Sequence, residues 1–179
     1  MNRYYAERSG RTGDRPVAYI TSGAPVEVLA ALDVLTVYPE NYSALCGARG
    51  AAVGLCELAE ADRYPADLCS YARGHLGASL DPDRAPLGGL PRPDMLVCCT
   101  NICGTVIKWY EALADLYDCP LFVLDVPFQW EAEQEAHVIA YIAAQIEALI
   151  EWVEEQAGRR LEWGRLVRTI ERSQDAIAL

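Results

Sequence analysis

Short apolar runs alternate with amphipathic stretches along most of the chain, and each changeover carries a turn signal. Residues 16–20 read as a first buried strand, closed by Thr21-Ser22-Gly23-Ala24-Pro25. Pro25 suits the first turn of a helix that Val26 to Leu32 continues. Residues 33–37 form a second short run rich in β-branched positions, ended by Tyr38-Pro39-Glu40-Asn41. Residues 43–61 keep a helical pattern, although Gly47, Gly50 and Gly54 each cost it about 1 kcal/mol relative to alanine. After a loop at Tyr64-Pro65, a short helix is expected to open at Cys69 and reach Leu76. Residues 80–93, rich in proline and glycine, read as a surface loop. The run 95–99 is apolar throughout, as a fully buried strand would be, and a helical pattern starts at or just after Cys103 and runs to about Tyr117. Residues 121–125 supply a last strand, stopped by Val126-Pro127.

Strands alternating with helices predict an α/β fold: a Rossmann-like, flavodoxin-like parallel sheet of about four strands with flanking helices. Right-handed crossovers then place every strand end on one edge of the sheet. From Glu131 the pattern changes to long helices. Ala136, Ile139, Ala140, Ala143, Ile146, Ile150 and Val153 recur at helical spacing up to a stop at Gly158. A second helix places Leu166, Val167, Ile170 and Ile177 on one face. Residues 1–130 are thus expected to form the Rossmann-like domain and 131–179 a helical extension.

The chain has 179 residues, 52% of them hydrophobic and 23% charged, which describes a globular protein with a sizeable core. A formal net charge of −11 and a pI near 4.6 argue against nucleic acid as a partner. No run approaches the roughly 20 apolar residues of a membrane span. Residues 1–15 are charged and lack the apolar centre of a signal peptide. A cytoplasmic protein is expected, with no membrane partner. The seven cysteines are then poor disulfide candidates.

Ser22, Glu40 and Cys103 each lie just past an expected strand, so they share the carboxyl edge, where open α/β folds place ligands. Cys69 and Cys103 both fall where a helix begins, a position that favours thiolate over thiol. The residues alone leave two readings open for this pair, buried packing or ligation. Cys98 and Cys99 point to opposite faces of a strand and are expected to pack. The spacing Cys99-x-x-x-Cys103 is not that of a thioredoxin-like redox pair. No CxxC pair is present and His75 and His137 stand apart from the cysteines, which disfavours zinc. His75 reads as a surface or packing histidine and His137 as solvent-facing.

Asp125 ends a strand at the same edge, as a functional group or as a cap for the next loop. Arg49, Arg63, Arg73 and Lys108 suit either anionic phosphates or surface ion pairs. Glu147, Glu151, Glu154 and Glu155 read as a solvated helix face. Tyr71, Trp109 and Tyr110 wall a dry pocket or fill the core, with core packing favoured for two of the three. The turn after the first strand lacks the glycine pattern that cradles a pyrophosphate, which counts against a plain nucleotide binder.

Two segments, Asp67-Leu68-Cys69-Ser70-Tyr71-Ala72-Arg73 and Asn101-Ile102-Cys103-Gly104-Thr105 continuing to Glu111, resemble the 2-hydroxyacyl-CoA dehydratase/benzoyl-CoA reductase family. Tyr38-Pro39-Glu40-Asn41-Tyr42, Cys46-Gly47-Ala48-Arg49 and Leu124-Asp125-Val126-Pro127-Phe128 add to the match, which runs from about Pro16 to the end of the chain. The resemblance implies the N-terminal part of a subunit that pairs with a paralogous second subunit. It implies that Cys69 and Cys103 are two of three protein ligands of a 4Fe–4S cluster, the third lying beyond residue 179. None of Cys46, Cys56, Cys98, Cys99 or Cys119 matches that third position. Ser22 and Glu40 match positions near cluster and substrate, with Glu40 able to shuttle a proton. The implied chemistry is one-electron reduction of an acyl-CoA or aryl-CoA thioester to a ketyl radical, driven by an ATP-dependent iron–sulfur activator protein. The alternative is a cluster-free truncated paralogue that serves as a docking or scaffold domain in a larger complex.

Overall fold

The computed structural model describes residues 15–130 and 135–178. The N-terminal stretch lacking a signal core, apart from Arg15, and the first residues of the helical extension lie outside the described residues. Four strands form one sheet: β1 (Val17–Ile20), β2 (Leu35–Val37), β3 (Met95–Cys99) and β4 (Leu121–Leu124), in the order β2-β1-β3-β4. Every pairing is parallel, with Val17 opposite Leu35, Ile20 opposite Val97 and Cys99 opposite Leu124. The α/β sheet expected from the sequence is the observed one.

Helices cover both faces of the sheet. One layer comprises α1 (Val26–Ala31), α6 (Ala136–Ala157) and α7 (Trp163–Ile177), whose Leu29, Leu149, Ile150, Val153 and Leu166 pack with Ala18, Ile20, Val97 and Cys99. The opposite layer comprises α4 (Ser70–Leu80) and α5 (Gly104–Tyr117), whose Leu76, Trp109, Tyr110 and Leu113 pack with Tyr19, Val37, Leu96 and Cys98. Burial on both sides explains why β1 and β3 are apolar without alternation. Cys98 and Cys99 separate into the two layers, as strand geometry requires.

Residues 43–61 form two helices rather than one. Helix α2 (Pro39–Ala48) and helix α3 (Ala52–Ala61) meet at a turn in which Gly50 adopts φ +72° and the Ala51 amide donates to the Cys46 carbonyl at 2.9 Å. Glycine reaches that left-handed conformation without a Cβ penalty, so Gly50 breaks the helix instead of weakening it. Helix α2 also starts earlier than the pattern suggests, because Pro39 takes its first turn.

The proline-rich loop of residues 80–93 is not a plain surface loop. It begins in the last turn of α4, contains two short 3-10 turns, and is tied to the core by tyrosines. Buried Tyr42 donates to the Pro86 carbonyl at 2.6 Å and buried Tyr19 to the Pro91 carbonyl at 2.8 Å.

Helix α6 buries Val138, Leu149, Ile150 and Val153, while Ala136, Ile139, Ala140 and Ala143 face outward. Its first half is apolar on more than one face, so periodicity does not identify which face meets the sheet. By length and composition alone α6 is apolar enough to cross a membrane, contrary to the sequence expectation, because its alanines and isoleucines dilute few charges. On α7 only Leu166 is buried, and Val167, Ile170 and Ile177 are exposed. Gly158 ends α6 with φ +62°. The next residue, Arg159, reaches the α1–β2 turn, donating to the Asp33 carbonyl at 3.1 Å and to its carboxylate at 3.0 Å.

Candidate functional site

The chain leaves β1 toward β2 on one side and returns to β3 on the other, so β1 and β3 flank the topological switch point of the sheet. Two loops meet there at the carboxyl edge. One follows β1 and holds Ser22 and Gly23; the other follows β3 and holds Asn101 and Cys103. They are in close contact: a Cβ added at Gly23 would lie 2.8 Å from Asn101 Oδ1.

Glu40 reaches this edge from the first turn of α2. The Ser22 amide donates to its Oε1 at 3.5 Å, which brings together the two residues expected to share the edge. Glu40 Oε2 is buried without a hydrogen-bond partner in the protein. Burial pushes the Glu40 carboxyl up from its ordinary range, and the bonds from the Ser22 amide and its own amide only partly oppose that shift.

Cys69 is tied to the same region through α2. The Ser43 hydroxyl, one turn beyond Glu40, lies 3.0 Å from the Pro39 carbonyl and 2.8 Å from that of Tyr71 at the start of α4. Cys69 is the N-cap of α4 and Cys103 the N-cap of α5. Neither thiol makes a capping hydrogen bond, and both are exposed.

The other cysteines differ. Cys46, Cys56, Cys98 and Cys99 are buried and Cys119 is half-buried. Cys56 donates to the Ser70 carbonyl at 3.6 Å, and burial raises its thiol. Burial pushes Cys98 up to about 12 and Cys119 to about 11, so both remain thiols at neutral pH. Cys99 is also raised by burial, with the Thr21 hydroxyl beside it pulling the other way.

Asp125 fastens the Cys103 loop. Thr100 donates to Asp125 Oδ1 at 2.9 Å and accepts from the Val126 amide at 2.7 Å. Tyr141 on α6 donates to Asp125 Oδ2 at 3.0 Å, and Gln145 pairs with the Asp125 main chain at 2.8 and 2.6 Å. The sequence pattern singles out neither Tyr141 nor Gln145, since both sit on a helix whose orientation periodicity leaves undetermined.

His75 is fully buried. Its Nδ1 accepts the Trp109 indole N–H at 3.3 Å, and burial lowers it to about 3, so it is a neutral core residue and not a surface one. Trp109 and Tyr110 are buried and Tyr71 is exposed. His137 is exposed beside Glu135. Arg73 donates to the Leu68 carbonyl at 2.8 Å and pairs with Glu60, which makes it part of the local structure. Lys108 pairs with Glu111 at 2.7 Å, and Arg49 and Arg63 are exposed. Glu154 is not a solvated member of an acidic stripe: it accepts from the Leu161 amide at 2.6 Å and pairs with Arg160 at 2.6 Å.

The donor chemistry of Cys69 and Cys103 fits two positions of a thiolate-held cluster. No group of three His, Cys, Asp or Glu side chains able to hold a metal occurs among the described residues, so these residues do not complete a ligand set.

Comparison with known proteins places the chain among relatives of one family. The family model for 2-hydroxyglutaryl-CoA dehydratase, D-component, matches residues 21–179. The alpha subunit of (R)-2-hydroxyisocaproyl-CoA dehydratase from Clostridioides difficile is 38% identical over 161 residues, covering 90% of this chain and 38% of that protein. The alpha subunit of (R)-phenyllactyl-CoA dehydratase from Clostridium sporogenes is 36% identical over 160 residues, covering 89% of this chain and 39% of its own length. One of the subunits of benzoyl-CoA reductase from Thauera aromatica is 27% identical over 167 residues, covering 92% of this chain and 39% of its own length. The chain spans about two fifths of the length of these relatives.

Proposed function

The chain belongs to the 2-hydroxyglutaryl-CoA dehydratase D-component family, and from that premise we propose that it forms the N-terminal part of an enzyme subunit acting on a CoA thioester. The reaction is dehydration of a 2-hydroxyacyl-CoA or reduction of an aryl-CoA of the benzoyl type. In this proposal residues 1–130 are the cluster-binding domain and 131–179 lead into a further domain. Cys69 and Cys103 hold a 4Fe–4S cluster, with a third thiolate from outside this sequence. When bound, that cluster supplies low-potential single electrons to the thioester.

The remaining work falls to this chain's own side chains. The Ser22 hydroxyl orients the substrate's hydroxyl or carbonyl oxygen by a hydrogen bond. Glu40 gives and takes a proton at the oxygen beside the Ser22 amide, a role suited to a carboxyl that burial raises above its ordinary range. The packed contact between Gly23 and Asn101 narrows the crevice and limits water. A paralogous second subunit and an ATP-dependent iron–sulfur activator protein complete the system, in a cytoplasmic setting where the cysteines stay reduced. The observation that carries this reading is the Ser22–Glu40 pair beside the loop of an exposed, helix-capping Cys103.

A second reading, a cluster-free docking domain, draws on the incomplete ligand set among the described residues. Anaerobic reconstitution with iron and sulfide separates the two. Bound iron, acid-labile sulfide and cluster absorbance are expected in the wild-type chain, and their loss in Cys69→Ser and Cys103→Ser but not Cys119→Ser. A colourless, iron-free wild type would overturn cluster binding by this chain and leave the docking reading.

A further inference from the structure

Among the described residues four buried side-chain polar atoms have no hydrogen-bond partner in the protein: His75 Nε2 on α4, Thr21 Oγ1 just past β1, Glu40 Oε2 in the first turn of α2, and Tyr110 Oη in the second turn of α5; the last three bear on one site. Thr21 and Tyr110 are fully buried. Polar atoms in such positions are nearly always paired, by protein or by ordered water. The last three belong to residues that are linked to one another. Thr21 precedes Ser22, whose amide holds the other oxygen of the same Glu40 carboxyl. Glu40 lies close enough to Tyr110 and to the Cys99 thiol for its charge to act on both, and the Thr21 hydroxyl faces that thiol.

We propose that Thr21 Oγ1, Glu40 Oε2 and Tyr110 Oη form one hydrogen-bonded set closed by an internal water, and that Tyr110 is the positioning residue that orients Glu40 from behind. The valences match. Each hydroxyl brings one proton and the carboxylate oxygen brings none, so a water that accepts from the two hydroxyls and donates to Oε2 satisfies all three atoms. The inner oxygen is thereby fixed, and the oxygen beside the Ser22 amide is left to face the crevice.

The surroundings of Glu40 make these hydroxyls matter. The titratable groups its charge reaches are Cys99 on β3 and Tyr110 on α5, and Tyr110 in turn is near Tyr38, Cys98 and Cys99. Each is neutral when protonated, and no cation contributes to the shift of Glu40 among the described residues. Hydrogen-bond donors are therefore what favours its charged form against burial. Without the Tyr110 hydroxyl, the carboxyl should hold its proton to higher pH.

This inference rests on reading Glu40 as the proton-handling group, but its test reads the carboxyl itself and is independent of iron loading. The full chain carrying glutamate labelled with carbon-13 at the carboxyl is titrated by NMR, with Glu40 assigned by its loss in Glu40→Gln. In Tyr110→Phe the Glu40 midpoint should rise by about one pH unit, and in Thr21→Val it should rise by less. Tyr19→Phe, which removes a buried hydroxyl bonded instead to the Pro91 carbonyl, should leave it in place. An unmoved midpoint in Tyr110→Phe, or an equal shift in Tyr19→Phe, would overturn the proposal. Should Tyr110→Phe fail to fold, Thr21→Val decides alone, and an unmoved midpoint there overturns it.

Discussion

The phenol of Tyr141 donates to Oδ2 of Asp125 at 3.0 Å, while Oδ1 of the same carboxylate receives the Thr100 hydroxyl. One side chain thus connects the long helix α6 to the loop that carries Cys103. The bond to Asp125, then burial and the carboxylate's charge, raise the Tyr141 phenol above its ordinary value of 10.0. A group raised in the folded state stabilises the fold fully below its unfolded pKa, and that contribution is lost as pH rises through the folded value. Phenolate absorbance should show Tyr141 titrating later than a free tyrosine, and Asp125→Asn should return it toward normal. An identical titration in the variant would show that the bond does not hold in solution.

Alkylation should divide the cysteines by depth. Cys69 and Cys103 are exposed, whereas burial keeps Cys98 near a pKa of about 12 and Cys119 near about 11. The thiolate is the reactive form, so limited iodoacetamide treatment followed by peptide mass spectrometry should label Cys69 and Cys103 first. Unfolding in denaturant should release all seven. Labelling of Cys98 as fast as Cys103 would contradict the packing of β3.

Gly77→Ala should be severely destabilising. A Cβ there would come 1.8 Å from the Leu55 carbonyl oxygen, so α4 and α3 cross at a distance only glycine permits. The obstacle is backbone, and the helices must separate to admit a methyl group. A loss of about 3 kcal/mol, at the upper end for overpacked interiors, should appear as a lower urea midpoint with little change in slope. Gly74→Ala, one turn earlier with open space around the position, serves as the control.

The strands are the most legible part of the chain. Run 95–99 coincides with β3 because a strand buried on both faces has no reason to alternate. The placement of Ser22, Glu40 and Cys103 at one edge follows from parallel topology, and the structure realises it at 3.5 Å between Ser22 and Glu40. Gly50 misleads because its cost to a helix is visible in sequence and its left-handed conformation is not. The buried face of α6 is hidden because Val138 and Ile139 are equally apolar, yet Val138 is buried and Ile139 exposed. The Tyr110 hydroxyl and the Asp125 clamp are illegible for a common reason: each depends on partners from elements distant in sequence, which no periodicity encodes.

Cys69 and Cys103 cap different helices, and the strand β3 lies between them in the chain. Their spacing in three dimensions is therefore a product of the completed sheet and not of any local loop. A ligand that needs both thiols cannot nucleate this fold in the way a zinc ion nucleates a finger; it must arrive after β3 has docked beside β1. Under the proposed ligation, the order of assembly is chain first, cluster second. The folded chain then presents Cys69 and Cys103 exposed before any cluster arrives.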